Sequence, residues 1–359
     1  MSKTLVLAAS DIAKIVLEVG LDEMMDDLIS SLASAFDAAS SGPIETPVRT
    51  GFEFAGPDPG LLEWMPVSDG AGTASLKMVG YNPSNPSAHG IPTIVSTVSS
   101  YDTTTGHLLG LADATFITAL RTGAVSALAS SMLAPKTSKT IGLIGCGAQA
   151  VSQLHGLLRV FAIGRVVITD TDQGAERSFP ARVEGIGGPE LEISNVPIEE
   201  VVAEADSLCT STSVPVGSGP LFEGLDHKPW LHVNAVGSDF AGKFELPESM
   251  LRRAVVCTDF PDQALREGES QRLTRDELGP SLTELVSAPE SWEGLRDRLT
   301  VFDSTGWALA DHVAFRRIRA HAERMGLGTM FELETSAGDP LDPYQWSRDN
   351  EPASGPEDR

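Results

Sequence analysis

Apolar residues near the start of the chain recur three or four positions apart, and further along their spacing changes. From residue 10 to residue 40 this spacing predicts two packing helices, the second beginning near Asp22. After Pro47 it gives way to short alternating or β-favouring runs separated by turn formers, which predicts an antiparallel sheet of about five or six strands. The predicted strands cover residues 48–54, 61–67, 75–81, 93–101 and 107–112. A helix rich in small residues follows at 114–133.

From residue 140 the chain alternates regularly between apolar strands and helices. Strands are predicted at 140–144, 165–169, 191–196, 207–213, 231–237, 254–258 and 299–302. Such alternation is typical of a mostly parallel, doubly wound sheet. The amphipathic helix at 307–325 is expected to return the chain to the first domain.

These patterns predict an α/β protein with two domains. A Rossmann-type, doubly wound domain is expected at 135–306, and an α+β domain with an antiparallel sheet at 1–134 together with 307–345. The polar, Pro- and Gly-containing segment 346–359 is expected to be a disordered tail.

A glycine-rich turn between the first two strands of the second domain has the residues of a dinucleotide-binding site. Gly145 permits the tight turn, Gly147 lets backbone N–H groups approach a pyrophosphate, and Ala150 keeps helix and strand close. Asp170 ends the second strand, where a carboxylate accepts hydrogen bonds from the adenosine ribose, and this favours NAD over NADP. The alternative is an ordinary tight turn, but both flanking strands and the terminal acid are in place.

Composition narrows the classes of partner. The 359 residues carry a formal net charge of -24 and are 41% hydrophobic, which fits a globular protein and argues against nucleic acid or an anionic membrane as partner. The first apolar run is too short for a signal peptide, and no apolar stretch is expected to approach membrane-spanning length, so a cytoplasmic location is predicted. The cysteines, at positions 146, 209 and 257, are expected to be reduced and mostly buried.

Four charged residues interrupt apolar runs in the first domain: Arg49, Glu63, Lys77 and Arg121. A charge within an apolar run is unfavourable unless it is paired or binds a ligand, so three cations on separate elements suggest one shared anion, such as a substrate α-carboxylate. The alternative is that each cation faces solvent.

Asp239 lies just after the predicted strand 231–237, at the edge where doubly wound folds bind their ligands. A carboxylate there could move protons during hydride transfer. The alternative is a helix N-cap ahead of Lys243. The histidines show no spacing that suggests a metal site, and none is predicted.

Motifs along nearly the whole chain resemble those of the ornithine cyclodeaminase and mu-crystallin family. They are Glu63-Trp64-Met65-Pro66, Lys77, Asn82-Pro83-Ser84-Asn85, Arg121-Thr122, Gly145 with Gly147-Ala148-Gln149, Asn234-Ala235-Val236-Gly237, Asp239, Gly242-Lys243, Glu267-Gly268-Glu269 and Phe302-Asp303-Ser304-Thr305-Gly306. Within that family the chain looks most like the lysine cyclodeaminases of actinomycete secondary metabolism.

The resemblance implies a role for each motif residue. It implies that Arg49, Lys77 and Arg121 bind the substrate carboxylate, that Asp239 carries protons to and from the amines, and that Glu63 orients a water or an amine. Residues at cofactor-contacting positions are Thr93, Thr122, Gly145, Gly147, Ala148, Gln149, Asp170, Thr212, Lys243 and Ser304. It also implies a homodimer that pairs through the sheets of its first domains, and a site between the two domains.

The implied reaction converts a basic L-amino acid to a cyclic imino acid with release of ammonia and with internally recycled NAD. Lysine to pipecolate is favoured over ornithine to proline. Three alternatives stay open: an ornithine cyclodeaminase, an NAD(P)-dependent imine reductase or amino acid dehydrogenase, and a non-catalytic ligand-binding protein like mu-crystallin.

Overall fold

Two sheets and the helices packed on them make up the part of the chain that the computed structural model describes, residues 3–55, 60–186, 191–334, 339–345 and 348. The strands are β1 Thr4–Leu7, β2 Thr50–Phe54, β3 Gly60–Ser68, β4 Thr73–Tyr81, β5 Ile94–Asp102, β6 Leu108–Asp113, β7 Thr140–Ile144, β8 Arg165–Thr169, β9 Glu192–Asn195, β10 Ser207–Thr210, β11 His232–Ala235, β12 Val255–Thr258, β13 Thr300–Asp303 and β14 Thr329–Phe331.

The helices pack on both sheets and between them. They are α1 Ala9–Val19, α2 Leu21–Ala39, α3 Asn85–His89, α4 Thr115–Leu133, α5 Ala148–Val160, α6 Gln173–Arg182, α7 Ile198–Glu204, α8 Glu248–Leu251, α9 Pro261–Glu267, α10 Leu282–Ser287 and α11 Ala308–Met325. Short 3₁₀ segments cover Glu269–Arg272, Arg275–Glu277 and Pro289–Asp297.

The first sheet has the order β14-β1-β6-β5-β4-β3-β2. The five predicted strands are all present as β2 to β6 and pair antiparallel, as expected. The sheet also has two strands that were not predicted: β1 pairs parallel with β6 and antiparallel with β14. These two strands have four and three residues, too few for alternation of apolar and polar positions to reveal them.

The second sheet is parallel throughout, with the order β12-β13-β11-β10-β7-β8-β9. Every residue of β10, β11 and β13 is buried, including polar residues such as Ser207, His232 and Asn234, as expected of central strands in a parallel sheet that is covered on both faces. The predicted doubly wound, Rossmann-type fold is confirmed.

Helix α4 is long and apolar enough to cross a membrane, so the expectation that no segment reaches that length is wrong. Most of the helix is buried within the protein, where it contacts α2, α5, α11 and both sheets. A helix that is buried on every side is apolar on every side, and α4 is therefore a core helix by its surroundings.

Glycines bring α4 and α5 into close contact, and this fixes the two sheets relative to one another. A Cβ atom on Gly123 would lie 2.1 Å from the Ser152 carbonyl oxygen, and one on Gly156 would lie 2.4 Å from the Gly123 carbonyl oxygen. After β13, helix α11 returns to pack on β3, β4 and α4, as predicted. The domain limits at 134/135 and 306/307 stay a prediction, and of the expected disordered tail all but Arg348 lies outside the described residues.

Candidate active site

The turn after β7 has the geometry of a phosphate-binding loop. Gly145 has a φ of 92°, and a Cβ atom there would lie 2.9 Å from the Ser211 carbonyl oxygen, so glycine is required. Helix α5 begins at Ala148 without a side-chain cap, and a Cβ atom on Gly147 would meet nothing within 4 Å. The first N–H groups of the helix are therefore open to an anion such as a pyrophosphate.

A cavity of about 550 Å³ lies against this turn and fits the adenosine half of a dinucleotide. Its lining includes Gly145, Gly147, Asp170 and Thr212. Asp170 Oδ2 accepts a hydrogen bond from the Cys146 backbone N–H at 2.6 Å, which holds the carboxylate at the carboxyl edge of the sheet. That placement suits hydrogen bonds to ribose hydroxyls and disfavours a 2′-phosphate.

The three cysteines are free and buried, as predicted. Burial raises the pKa of the Cys146 thiol to about 12, and the nearby carboxylate of Asp170 adds to this. The Cys146 thiol is therefore neutral at physiological pH and unreactive as a nucleophile.

A larger cavity of about 760 Å³ continues from the glycine turn toward the first sheet. Six of the predicted cofactor residues and Asp239 line it: Thr93, Gly147, Ala148, Gln149, Thr212 and Lys243. Its lining extends from α5 across the loop after β11 to α1, and this extent suits the nicotinamide half of the dinucleotide.

A small cavity of about 80 Å³ adjoins it, and it brings together all the predicted substrate and catalytic residues. They are Arg49, Glu63, Lys77, Arg121 and Asp239, with the predicted cofactor residues Thr122, Gln149 and Ser304. Asp239 and Gln149 line both this cavity and the larger one. The substrate and the nicotinamide would therefore meet at Asp239.

Strand alternation explains how the charged residues reach the small cavity. On β3 and β4, Glu63 and Lys77 belong to the buried set of every second residue, and Lys77 lies directly opposite Met65. Arg121 comes from the middle of α4. Lys77 is 2% exposed and Arg121 6% exposed, so the alternative that these cations face solvent is wrong.

Lys77 and Arg121 share one carboxylate that the sequence did not point to. Asp311 Oδ1, in the first turn of α11, accepts a hydrogen bond from Lys77 Nζ at 2.9 Å and another from Arg121 Nε at 3.0 Å. Asp311 therefore supplies, within the protein, an anion that two of the three cations share. Burial lowers the pKa of Lys77 to about 7, although the charge of Asp311 opposes the shift.

Arg49 is held by other partners. Its Nε lies 2.8 Å from Glu267 and 3.4 Å from Glu63, and its terminal nitrogens donate to the backbone carbonyls of Thr305 and Asp239. Burial raises the pKa of Glu267 to about 7 and raises that of Glu63, in each case against the attraction of Arg49. Glu267 belongs to the motif Glu267-Gly268-Glu269, but the family resemblance implied no role for it.

Asp239 lies in the loop after β11 and pairs with Lys243. Lys243 Nζ is 3.0 Å from Asp239 Oδ1 and 5.3 Å from the centre of the Tyr81 ring. Burial lowers the pKa of Lys243, but Asp239 and Tyr81 outweigh it, so the net shift is upward and the ammonium is retained. The N-cap alternative for Asp239 is wrong, because the next helix begins at Glu248 with Pro247 as its cap.

Three buried carboxylates hold the loops around the cofactor cavity. Glu245 Oε1 accepts hydrogen bonds from the backbone N–H and the hydroxyl of Thr212, both at 2.7 Å, and Oε2 accepts one from Gly237 N–H at 2.9 Å. Glu269 Oε1 in turn accepts from Glu245 N–H at 2.6 Å. Asp303 accepts from the N–H group of Glu269 at 3.0 Å and so extends the chain of contacts to β13.

Two predicted cofactor hydroxyls already have protein partners. Thr122 Oγ1 donates to the Thr118 carbonyl oxygen at 2.8 Å, and Ser304 Oγ donates to Asp259 Oδ2 at 2.9 Å. Their oxygens keep acceptor capacity, and their contact with a cofactor stays a prediction. Across the described residues, no group of three or more His, Cys, Asp or Glu could hold a metal ion.

The doubly wound sheet, the glycine turn and the adjoining cation-lined cavity define a nicotinamide-dinucleotide-binding protein for a small carboxylate ligand. Comparison with known proteins makes this specific. The chain belongs to the ornithine cyclodeaminase/mu-crystallin family, whose model matches residues 10–326, and the predicted family is confirmed.

Three relatives represent the similarity. The chain is 45% identical over 343 residues to an L-lysine cyclodeaminase of Streptomyces rapamycinicus, covering 95% of this chain and 99% of that protein. A solved structure on the recognition of L-lysine, L-ornithine and L-2,4-diaminobutyric acid by lysine cyclodeaminase matches with a TM-score of 0.93 and 44% identity over 96% of this chain and all of that one. An archaeal alanine dehydrogenase dimer with bound NAD matches with a TM-score of 0.78 and 30% identity over 93% of this chain and all of that one. The predicted cofactor class, NAD, is confirmed.

Proposed function

We propose that the protein is an NAD-dependent cyclodeaminase that converts a basic L-amino acid to a cyclic imino acid and releases ammonia, with L-lysine to L-pipecolate as the favoured reaction. The observation that carries the proposal is the small cavity in which Arg49, Lys77 and Arg121 meet Glu63 and Asp239 beside the cofactor cavity. Similarity to lysine cyclodeaminase over nearly the whole chain supports the same substrate class.

Residues of the second sheet would hold the cofactor. The N–H groups at Gly147 and Ala148 would bind the pyrophosphate, Asp170 the adenosine ribose, and the loops carrying Thr212 and Lys243 would border the nicotinamide. When bound, NAD would supply a reversible hydride acceptor for the substrate Cα, so the overall reaction would consume no cofactor.

The three cations would fix the substrate carboxylate and so orient its Cα toward the cofactor cavity. Lys77 and Arg121 are already aligned by Asp311, and Arg49 by Glu267, so little side-chain freedom is lost on binding. Holding the side-chain amine near the α-imine is an orientation effect worth about 7–11 kcal/mol in favourable cases.

Asp239 would act as the proton carrier. It lines both cavities, so its carboxylate can accept a proton from the substrate side-chain ammonium, which frees the amine to attack the α-imine. The same group can then deliver a proton to the departing ammonia. Glu63, buried in the cavity and 3.4 Å from Arg49, would orient the amine or a water.

The test is turnover of L-lysine by the purified protein with catalytic NAD, followed by ammonia release and chiral analysis of the product. Equal molar amounts of ammonia and L-pipecolate are expected. L-Ornithine should react with a kcat/KM lower by about 10–200-fold, since one methylene is worth about 1–3 kcal/mol in a fitted pocket. Absence of cyclic product from both amino acids would overturn the proposal.

A net redox reaction is the second candidate, because the alanine dehydrogenase relative shares the fold and 30% of its residues. An amino acid dehydrogenase or imine reductase would change the amount of NADH in step with product. The assay above separates the two, since cyclodeamination leaves the NADH concentration unchanged.

We also infer a homodimer, action in the cytoplasm and a role in secondary metabolism. The outward face of the first sheet supports pairing with a second copy, because Phe52, Phe54 and Val95 are exposed there and Phe52 packs against Trp64. The archaeal relative is itself described as a dimer. The resemblance to lysine cyclodeaminases supports the metabolic role.

A further inference from the structure

Asp311 joins the two cations of the small cavity from a helix distant in sequence. It lies in the first turn of α11 with a side chain 4% exposed, and its Oδ1 atom accepts hydrogen bonds from both Lys77 Nζ and Arg121 Nε. Lys77 stands on β4 and Arg121 on α4, so one oxygen atom connects a strand, a core helix and the returning helix. Asp311, Lys77 and Arg121 together form the Asp311 pair site.

The pair site leaves donors free for a ligand. An ammonium has three N–H groups and a guanidinium five, and the bonds to Asp311 use one of each. Both cations line the small cavity. Gly306, with a φ of 90°, borders the far end of Arg121, and a Cβ atom there would lie 2.9 Å from Nη1, so the backbone leaves just enough room for the guanidinium.

Lys77 needs a neighbouring anion to stay charged in this position. Around it lie Arg121 from α4 and Arg49 from the segment before β2, both of which repel an ammonium, and the carboxylates of Asp311 on α11 and Glu63 on β3, which attract it. Burial lowers its pKa to about 7 even with Asp311 present. Without Asp311, burial and the two arginines would act against the weaker attraction of Glu63.

We propose that Asp311 is a positioning residue that aligns Lys77 and Arg121 as a two-pronged receptor for the substrate carboxylate and favours the ammonium form of Lys77. The nature of the bound anion rests on the proposed function. The alignment and the protonation of Lys77 do not, and they can be tested without turnover.

The direct test is NMR titration of the full-length protein labelled with ¹³C at the lysine ε position. The sequence has seven lysines, and a Lys77→Arg variant assigns the Lys77 signal. In Asp311→Asn the titration midpoint of Lys77 should fall relative to the parent protein. Asp27→Asn is the matched control. Asp27, on α2, pairs at 2.7 Å with Arg317, which is on α11 like Asp311, but Asp27 does not line the small cavity. An unchanged Lys77 midpoint in Asp311→Asn overturns the proposal.

A second variant separates charge from folding. Asp311→Glu keeps the carboxylate and should leave the Lys77 midpoint closer to that of the parent than Asp311→Asn does. If the asparagine variant does not fold, the glutamate variant is compared with the parent protein. A Lys77 midpoint at or above that of the parent agrees with the proposal, and a midpoint below it contradicts the proposal.

Kinetics with L-lysine add the functional arm. In Asp311→Asn the KM should rise by about tenfold or more with a smaller change in kcat, and the alkaline decline of kcat/KM should move to lower pH. A loss confined to kcat would contradict the proposal. If the parent protein does not turn over L-lysine, the proposed function fails while the NMR result still decides the role of Asp311.

Discussion

At the scale of single residues, Asp239 lies where the small cavity and the cofactor cavity meet. Replacing it with Asn keeps the size and removes the proton acceptor, so kcat with L-lysine should fall by about 100-fold or more, the usual contribution of a general acid–base group. Steady-state kinetics measure the change.

Asp262→Asn is the control for that variant, since Asp262 is an exposed partner of Arg275 away from the cavities. It should keep the parent kcat. An Asp239→Asn protein with full turnover would remove this carboxylate from the proton path.

Residues that carry their own signal were predictable, and residues defined by their partners were not. Lys77 and Arg121 stand out as charges within apolar runs, and Gly145 and Asp170 follow the order of a dinucleotide-binding unit. Asp311 also interrupts an apolar run, on the buried face of α11, but it lies 190 positions from Arg121 and its local sequence does not indicate which cations it pairs with. Only the tertiary fold identifies it.

At the scale of elements, the contact between α4 and α5 carries Arg121 toward the cofactor turn. Gly123→Ala would place a methyl group 2.1 Å from the Ser152 carbonyl oxygen, so the helices must separate. We expect a loss of about 1–3 kcal/mol in the free energy of unfolding, the usual effect of overpacking, together with weaker NAD binding. Urea denaturation and a binding titration measure the two effects.

Gly164→Ala serves as the comparison, because a Cβ atom at that position would meet nothing within 4 Å. Its unfolding free energy should stay within about 0.5 kcal/mol of the parent's. Equal stability of the two variants would show that the helices tolerate a wider separation.

Elements were predictable where the pattern of apolar and polar positions extends over enough residues. Strands β2 to β6 and the alternation after residue 140 have enough positions to show their period, and each was found close to its predicted limits. Strands β1 and β14 were missed because, with four and three residues, they span at most two repeats of the pleat and lie far along the chain from the other strands of their sheet. Helix α4 is apolar all round, so its sequence alone does not separate a core helix from a membrane span.

At the scale of the whole molecule, buried carboxylates make stability depend on pH. Burial raises the pKa of Glu267 and Asp303 to about 7 and that of Glu269 to about 8, so the folded state holds protons that the unfolded state has released. Stability from these groups is present below the unfolded pKa values and is lost as pH rises through the folded ones. Burial lowers the pKa of Lys77 to about 7 and that of His232 to about 3, and both act in the opposite direction, but His232 does so mainly below about pH 7 and Lys77 only above it.

The urea midpoint should therefore fall between about pH 6.5 and pH 7.5, where the buried acids outweigh Lys77. The formal charge of -24 adds self-repulsion in the same direction, and salt screens that part alone. The fall should persist in about 1 M salt, where exposed charges are screened within roughly 3 Å. A midpoint that stays level or rises over this range would contradict the protonation of the buried acids.

In the proposed cyclodeamination, hydride taken from the substrate returns to the same product molecule. The most direct measurement uses L-lysine with deuterium at Cα, catalytic unlabelled NAD and mass and NMR analysis of the cyclic product. We expect L-pipecolate that retains deuterium at its α-carbon, with one ammonia per product and no accumulation of NADH. Product with hydrogen from solvent at that carbon, or NADH formed in step with product, would contradict it.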